Sequence, residues 1–267
     1  MTHAVVVTGM AVVAPNGLTT DDYWAATLAG TSAIGRIAAF DPSKYPCHLA
    51  GEIRGFDPAA YVPARLTVQT DQMTHVALVS TARALQDADA DPADFDEYEM
   101  TVVSACSSGG AVFGQRELQK LWSIGPLSVG PFIAVAWFYA ANTGQISIRY
   151  GMRGPCGAIA TEQAGGLDAV GQARRELRRG GRLAVTGGTD ASLSPGGYVA
   201  QMSGGLVTTC KDASRAYVPF APYASGYVPG EGGATLILEP EVAARKRGAR
   251  TYGEIAGYAA TFDPPPG

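Results

Sequence analysis

The chain has 267 residues, enough for one large domain or two smaller ones, with 46% hydrophobic residues and a net charge of −4. This balance describes a soluble globular protein with extensive internal surface, and it offers no basic excess for nucleic acid. No apolar stretch reaches membrane-span length, Met1 leads almost directly into a strand rather than a signal peptide, and Cys47, Cys106, Cys156 and Cys210 lack the short paired spacing of a zinc site or disulfide framework. A reducing, cytoplasmic compartment is expected.

Taken in order, Ala4 to Val13 reads as a buried strand, and Thr19 or Thr20 caps a helix through Leu28. Residues 30–70 are rich in Pro, Gly and charge and read as a long surface excursion. Gln72 to Asp89 carries Met73, Val76, Ala77, Val79 and Leu85 at amphipathic spacing. Met100 to Cys106 is a second buried strand, and Ser-Ser-Gly-Gly leads into a helix through Trp122. After a Gly/Pro loop, Ala134 to Tyr150 reads as one helix containing Trp137-Phe138-Tyr139. Further strands are expected at 157–160, 182–188, 234–239 and 252–261, with helices at about 163–179 and 241–248, and a loop-rich segment up to about 230. Near-continuous apolar strands alternating with helices predict an α/β fold with a parallel-rich sheet covered on both faces.

The chemistry concentrates in Gly154-Pro155-Cys156-Gly157-Ala158-Ile159-Ala160-Thr161-Glu162-Gln163-Ala164-Gly165-Gly166-Leu167-Asp168-Ala169. A short strand breaks at a turn of small residues into a helix, so the turn residue sits beside free N–H groups and the positive end of the helix dipole. A Cys there would be an activated nucleophile. This chain has Gln163, whose carboxamide does not ionise. The place is built and the reagent is missing.

Gly-Pro, strand, Thr-x-(nucleophile)-x-x-Gly-Leu-Asp-Ala resembles the active-site elbow of the β-ketoacyl synthases of the thiolase superfamily. The Glu-Gln-Ala-Gly-Gly-Leu-Asp-Ala form resembles the Cys-less ketosynthase beta subunit, or chain length factor, of type II aromatic polyketide synthases. Val7-Thr8-Gly9-Met10-Ala11-Val12-Val13-Ala14-Pro15-Asn16-Gly17, Trp137 to Arg149, Val185-Thr186-Gly187-Gly188-Thr189-Asp190 and Ala224 to Ala234 extend the match along the chain in order. The resemblance implies a thiolase-like α-β-α-β-α sandwich. Residues 1–251 would form its N-terminal domain, and 252–267 would start the C-terminal half, with strand 252–261 as that half's opening strand. The family's two catalytic His motifs lie beyond that point. From this comes the expectation that a second polypeptide carrying the C-terminal half completes the subunit, with the Pro-rich tail after Phe262 as an exposed loop.

What the resemblance implies for function is a non-condensing subunit. It would pair with a catalytic ketosynthase, work on chains carried by an acyl carrier protein, and set poly-β-ketone length through a tunnel at the interface. The alternative is a malonyl-acyl carrier protein decarboxylase or an active synthase. Gln163 then has two readings: its amide plugs the emptied nucleophile pocket, or it helps hold a malonyl thioester for decarboxylation. In chain length factors the helix at 111–122 lines the tunnel end, and its three gate positions fall by motif on Ala111, Gly114 and Leu118. Members making shorter chains tend to carry Phe, Thr and Phe there, so a decaketide or longer product is expected. Small residues also let two helices pack closely, which is the competing explanation for Ala111 and Gly114.

The other candidates read more plainly. Cys106, in Ser104-Ala105-Cys106-Ser107-Ser108-Gly109, imitates a nucleophile motif without the flanking signature, and core packing is expected for it and for Cys156. Arg174, Arg175, Arg178, Arg179 and Arg182 suit the end of a helix and a solvated face, or a docking site for an acidic carrier protein. Gly226-Tyr227-Val228-Pro229-Gly230-Glu231-Gly232-Gly233 lacks the spacing of a nucleotide fingerprint, and the resemblance implies that it is a structural turn beside the active site. His3, His48 and His75 are scattered, so neither a metal nor a cofactor is expected.

Overall fold

A computed structural model describes residues 4–262. The expected loop at Pro264–Pro266 lies outside the described residues. In chain order the strands are β1 (Val5–Val13), β2 (Ile34–Arg36), β3 (Leu49–Gly51), β4 (Met100–Ala105), β5 (Cys156–Ile159), β6 (Leu183–Ala191), β7 (Glu231–Pro240) and β8 (Gly253–Glu254). The helices are α1 (Thr20–Leu28), α2 (Ala64–Gln69), α3 (Gln72–Asp87), α4 (Ala111–Ser123), α5 (Ile133–Ala136), α6 (Ala141–Tyr150), α7 (Gly165–Arg178), α8 (Pro195–Ser203) and α9 (Glu241–Lys246).

One six-stranded sheet runs β5-β4-β6-β7-β1-β8, and a small β2-β3 hairpin stands apart from it. The pairs β5-β4 and β4-β6 are parallel, whereas β6-β7, β7-β1 and β1-β8 are antiparallel. The sheet is therefore mixed, with its parallel part around β4. On one face α3 packs Val76, Ala77 and Leu85 onto Ala11, Val13, Val102, Val185 and Ile237. On the other, α7 presents Gly165, Ala169, Ala173 and Leu177, four residues apart, to Val5, Val103, Ala184 and Leu238. Their mostly small side chains bring α7 close to the strands, as close packing on a flat sheet requires. The result is a helix–sheet–helix layering with near-continuous apolar strands at its centre.

Polar groups inside this core are paired. Asn142 on α6 accepts from Thr74 on α3 (2.9 Å) and donates to Thr189 on β6 (2.9 Å), so three elements share one amide. A bulge in β1 falls between Val7 and Gly9. There the Thr8 hydroxyl donates to the fully buried Glu239 carboxylate at 2.6 Å. At Gly187, φ is 144°, and a Cβ would lie 2.0 Å from the Ala234 carbonyl oxygen. Only glycine lets β6 and β7 approach at that point.

Several expectations need correction. The strand expected to be buried at 157–160 is β5, an edge strand whose residues are exposed or half-buried, and Cys156 is exposed rather than in the core. An apolar run does not distinguish a covered strand from an edge left open. The single helix at 134–150 is broken into α5 and α6, because Trp137–Ala140 turns to cap the start of α4: Gly110 N donates to the Trp137 carbonyl at 3.2 Å. The strand at 252–261 shrinks to Gly253–Glu254. Beyond it the backbone leaves the sheet and lies along α7 as a strap. Arg174 claims the carbonyls of Ile255 and Ala256 (both 2.7 Å), which a ladder would otherwise use. Tyr258 lies over Gly171, where a Cβ would collide with its ring at 2.4 Å. Residues 30–70 contain β2, β3 and α2, and the segment before 230 contains α8, announced by Ser194 at the N-cap and Pro195 at the first helical position.

Candidate functional site

β5 ends at Ile159, a 3-10 turn covers Glu162–Ala164, and α7 starts at Gly165. The elbow is thus where the motif puts it. Glu162 takes a φ of 52°, a left-handed conformation that costs a non-glycine residue about 1–3 kcal/mol and recurs at active-site turns. The turn is held from three sides. Cys106 N donates to the Ile159 carbonyl (3.0 Å), Ser107 Oγ to the Glu162 carbonyl (3.3 Å), and Thr161 Oγ1 to the Asp168 carboxylate. Asp168 also accepts from Tyr258 OH, so the strap reaches the elbow through one carboxylate. Gly165 is small because a Cβ would sit 3.1 Å from that of Ala105 at the end of β4.

A cleft of about 420 Å³ opens here at the C-terminal ends of the parallel strands, lined among others by Cys106, Glu162, Leu167, Asp190 and Gly232. Clefts in that position are the usual ligand sites of open α/β sheets. Tyr227 is near enough for the Glu162 charge to add to the upward shift that burial gives its hydroxyl, which puts the Gly226–Gly233 turn beside the elbow as expected. Gln163 is exposed in this chain. Neither His48 nor His75 lines the cleft, and His75 sits instead beside α2, its pKa lowered by burial. Among the described residues no cluster of His, Cys, Asp or Glu could hold a metal ion.

Cys106 is buried, 3.3 Å from Met73 Sδ. Burial first, and then the Asp190 charge, push its thiol up to about 12. It is a core residue, as expected. At pH 8 roughly one Cys106 in 10⁴ would be thiolate. Iodoacetamide at that pH should therefore label Cys156 and Cys210 in the folded protein and spare Cys106 until denaturation, as peptide mass spectrometry would show. Asp190 also fixes the neighbouring turn, accepting from Ser107 N (2.8 Å) and Ser108 N (3.2 Å).

Helix α4 has no cap of its own. Asp71, the N-cap of α3, accepts from Met73 N with one oxygen (3.0 Å) and from Phe113 N with the other (2.7 Å), locking two helix starts together. The Asp signal before α3 is legible in the sequence; its reach to α4 is not. Ala111, Gly114 and Leu118 fall within an arc of about 60° on α4. Ala111 meets the first turn of α8, and a Cβ on Gly114 would lie 3.0 Å from Trp137 Cδ1. Close packing therefore accounts for part of their small size. Leu118 is 47% exposed and packs for no such reason.

Leu118 is one of several exposed large apolar residues on α4, α5 and the segments beside them, with Trp122, Leu127, Val135 and Trp137, and β5 is an open edge of the sheet. Patches and edges of this kind mark protein contacts. Glu117, buried beneath, accepts from Gly130 N (2.7 Å) and Lys120 Nζ (2.6 Å) and fixes the loop that carries Leu127. Of the arginine run, Arg174 anchors the strap, Arg179 pairs with Glu176 at 3.0 Å, and Arg175 lies over Tyr258.

On the other flank of α4, Glu231 of β7 accepts from Ile53 N (3.1 Å) and Gln72 Nε2 (3.4 Å). Burial, and then the charges of Glu52 and Asp71, push its carboxyl up to about 7. A carboxyl raised on folding keeps a proton that the unfolded chain has released, so its contribution to stability falls as pH rises from about 4.5 to 7. Glu231→Gln keeps the acceptor for Ile53 and removes that cost. It should gain about 1–3 kcal/mol at pH 8 and almost nothing at pH 4, read from thermal melts at the two pH values.

An elbow at the end of a parallel strand, in a mixed sheet between α3 and α7, is the arrangement expected of a β-ketoacyl synthase. A family model for the beta-ketoacyl synthase N-terminal domain matches residues 2–244, and the chain belongs to that family. Within it, the chain is 55% identical over 265 residues to the tetracenomycin polyketide synthase ketoacyl synthase beta subunit of Streptomyces glaucescens, across 98% of this chain and 65% of that protein. It therefore spans about 65% of the length of this curated relative. A beta-ketoacyl synthase from Burkholderia phymatum superposes with a TM-score of 0.84 at 28% identity, over 96% of this chain and 63% of that one. The ishigamide ketosynthase/chain length factor gives the same TM-score, 0.84, at 24% identity, again over 96% and 63%, a likeness of fold.

Proposed function

We propose that this chain is the non-condensing chain length factor of a type II polyketide synthase, paired in the cytoplasm with a catalytic ketosynthase that elongates chains on an acyl carrier protein. The observation that carries this reading is an intact elbow, with its strained turn and helix N-terminus, occupied by Gln163. A carboxamide can accept and donate hydrogen bonds but has no proton equilibrium to make it a nucleophile or general base near neutral pH. The name of the Streptomyces glaucescens relative, a beta subunit, supports the same reading.

The exposed apolar surface of α4 and α5 and the free edge of β5 would face the ketosynthase, which would supply the nucleophile and the acid–base groups. Ala111, Gly114 and Leu118 border that surface and would gate the growing chain. Residues 1–251 would be the N-terminal domain, with 252–262 leading into the C-terminal half of the fold. No helix among the described residues is long and apolar enough to cross a membrane.

Co-expression with a type II ketosynthase, followed by mass spectrometry of the intact complex and its products, tests the proposal. A one-to-one complex that makes a polyketide, together with no carbon dioxide release from malonyl carrier protein by this subunit alone, is the expected result. Malonyl decarboxylation by the isolated subunit, lost in Gln163→Ala, would establish the decarboxylase reading in its place.

A further inference from the structure

Ala111 faces the first turn of α8, where Gly196 and Gly197 allow α4 to come close. A Cβ on Gly197 would lie 3.2 Å from the Ala111 Cβ, and one on Gly196 would lie 2.7 Å from Gln115 Oε1. Gln115 stands one turn beyond Ala111 on the helix surface. Its Oε1 accepts from Gly196 N at 2.8 Å, and Ser194 Oγ donates to the Ala111 carbonyl at 3.3 Å. These two bonds close the seam between α4 and α8. On the gate side of the seam lies Ala111. On the other side is a cleft of about 700 Å³ that includes Gln115 itself, Val112, Gln119 and Leu193 in its lining. That volume falls within the ~300–1,000 Å³ typical of small-molecule sites.

The lining is mixed in a specific way. Val112, Leu193, Ile53 and Phe40 supply apolar wall and Gln115 and Arg116 supply donors, while Glu52 is taken by Arg54 and Glu231 by Gln72. With Oε1 held by Gly196, the Gln115 amide keeps its N–H groups for a ligand. A chain of alternating carbonyls and methylenes matches such a wall. Its keto oxygens accept, its enol forms donate, and the carbons between them are apolar. A fatty chain would offer no acceptor to the Gln115 N–H groups or the Arg116 guanidinium.

We infer that this cleft is a second chamber, taking the distal end of a 1,3-polycarbonyl chain that passes the gate row, with Gln115 latched to Gly196 as the partition between the two. The inference rests on the function proposed above, because it requires such a chain to reach α4. Gln115 is then a specificity-determining residue in addition to the three gate positions.

The test fills the chamber without altering Ala111, Gly114 or Leu118. Val112→Phe narrows it from within, and Gln119→Trp narrows it from its exposed rim should the first variant fold poorly. In complex with a ketosynthase, either variant should shorten the main product by at least one two-carbon unit, and Gln115→Ala should shift the distribution to longer chains. Unchanged product length in folded Val112→Phe and Gln119→Trp complexes would overturn the chamber. If the unmodified complex makes no polyketide at all, the proposed function itself fails. The chamber is then decided by saturation-transfer NMR with 2,4-pentanedione on the purified protein. A transfer signal that disappears in Val112→Phe upholds a 1,3-dicarbonyl site, and no signal, or one of equal strength in the variant, rejects it.

Discussion

Replacing Arg247 by Met should lower the thermal midpoint by about 6–20 °C, because it strands a charge in the sheet at a cost of about 3–5 kcal/mol. Glu239 lies on β7 with no exposure to solvent. Its two oxygens are met by Arg247 Nη2 (2.6 Å) and Nε (2.9 Å), a bidentate pair, and by the Thr8 hydroxyl. Arg247 also donates to the carbonyls of Ala88 and Asp89 (both 2.8 Å), so one guanidinium joins β7, the turn after α9 and the end of α3. Removing the cation leaves the carboxylate with a single hydroxyl. Adding Glu239→Gln to Arg247→Met removes the stranded charge and should recover a large part of the loss. Thermal melts of the two singles and the double form the necessary cycle, and additive losses would contradict a coupled pair.

The parts of this fold that were legible in the sequence are those fixed by local chemistry. Thr19 caps α1 by accepting from Asp22 N, and Asp71 caps α3, as their types and positions announce. The apolar runs of β1, β4, β6 and β7 became central strands, and the elbow stands at the motif that predicted it. What could not be read depends on neighbours. Gly157 to Ala160 is as apolar as a buried strand, yet β5 is an edge, and exposure is a property of what lies beside it. Trp137–Ala140 has ordinary helical propensity, and its break accompanies the bond of the Trp137 carbonyl to Gly110 N at the start of α4. The strap after Glu254 is apolar enough for a strand, but Arg174, 81 residues before Ile255 in the chain, takes its carbonyls. Ser194-Pro195 was a readable start for α8, hidden inside a Gly-rich stretch.

At the gate, Ala111→Phe, Gly114→Thr and Leu118→Phe together should shorten the polyketide made with a ketosynthase, from an expected decaketide or longer. The three substitutions do not act alike. Leu118 is 47% exposed, so Phe adds volume on the open side of α4 without displacing a neighbour. Gly114→Thr pushes on Trp137, a residue that is 61% exposed. Ala111→Phe meets the first turn of α8 directly, where overpacking costs about 1–3 kcal/mol. The same crowding would act on a growing chain, because a close-packed wall gives little way to one more ketide. Leu118→Phe alone is thus the cleanest probe, expected to shorten the product with no loss of stability, and the triple variant should shorten it further with a lowered thermal midpoint. Mass spectrometry of the products, beside native mass spectrometry of the complex, reads both. Unchanged chain length in an assembled Leu118→Phe complex and in the assembled triple variant would show that these positions serve helix packing and that length is set elsewhere.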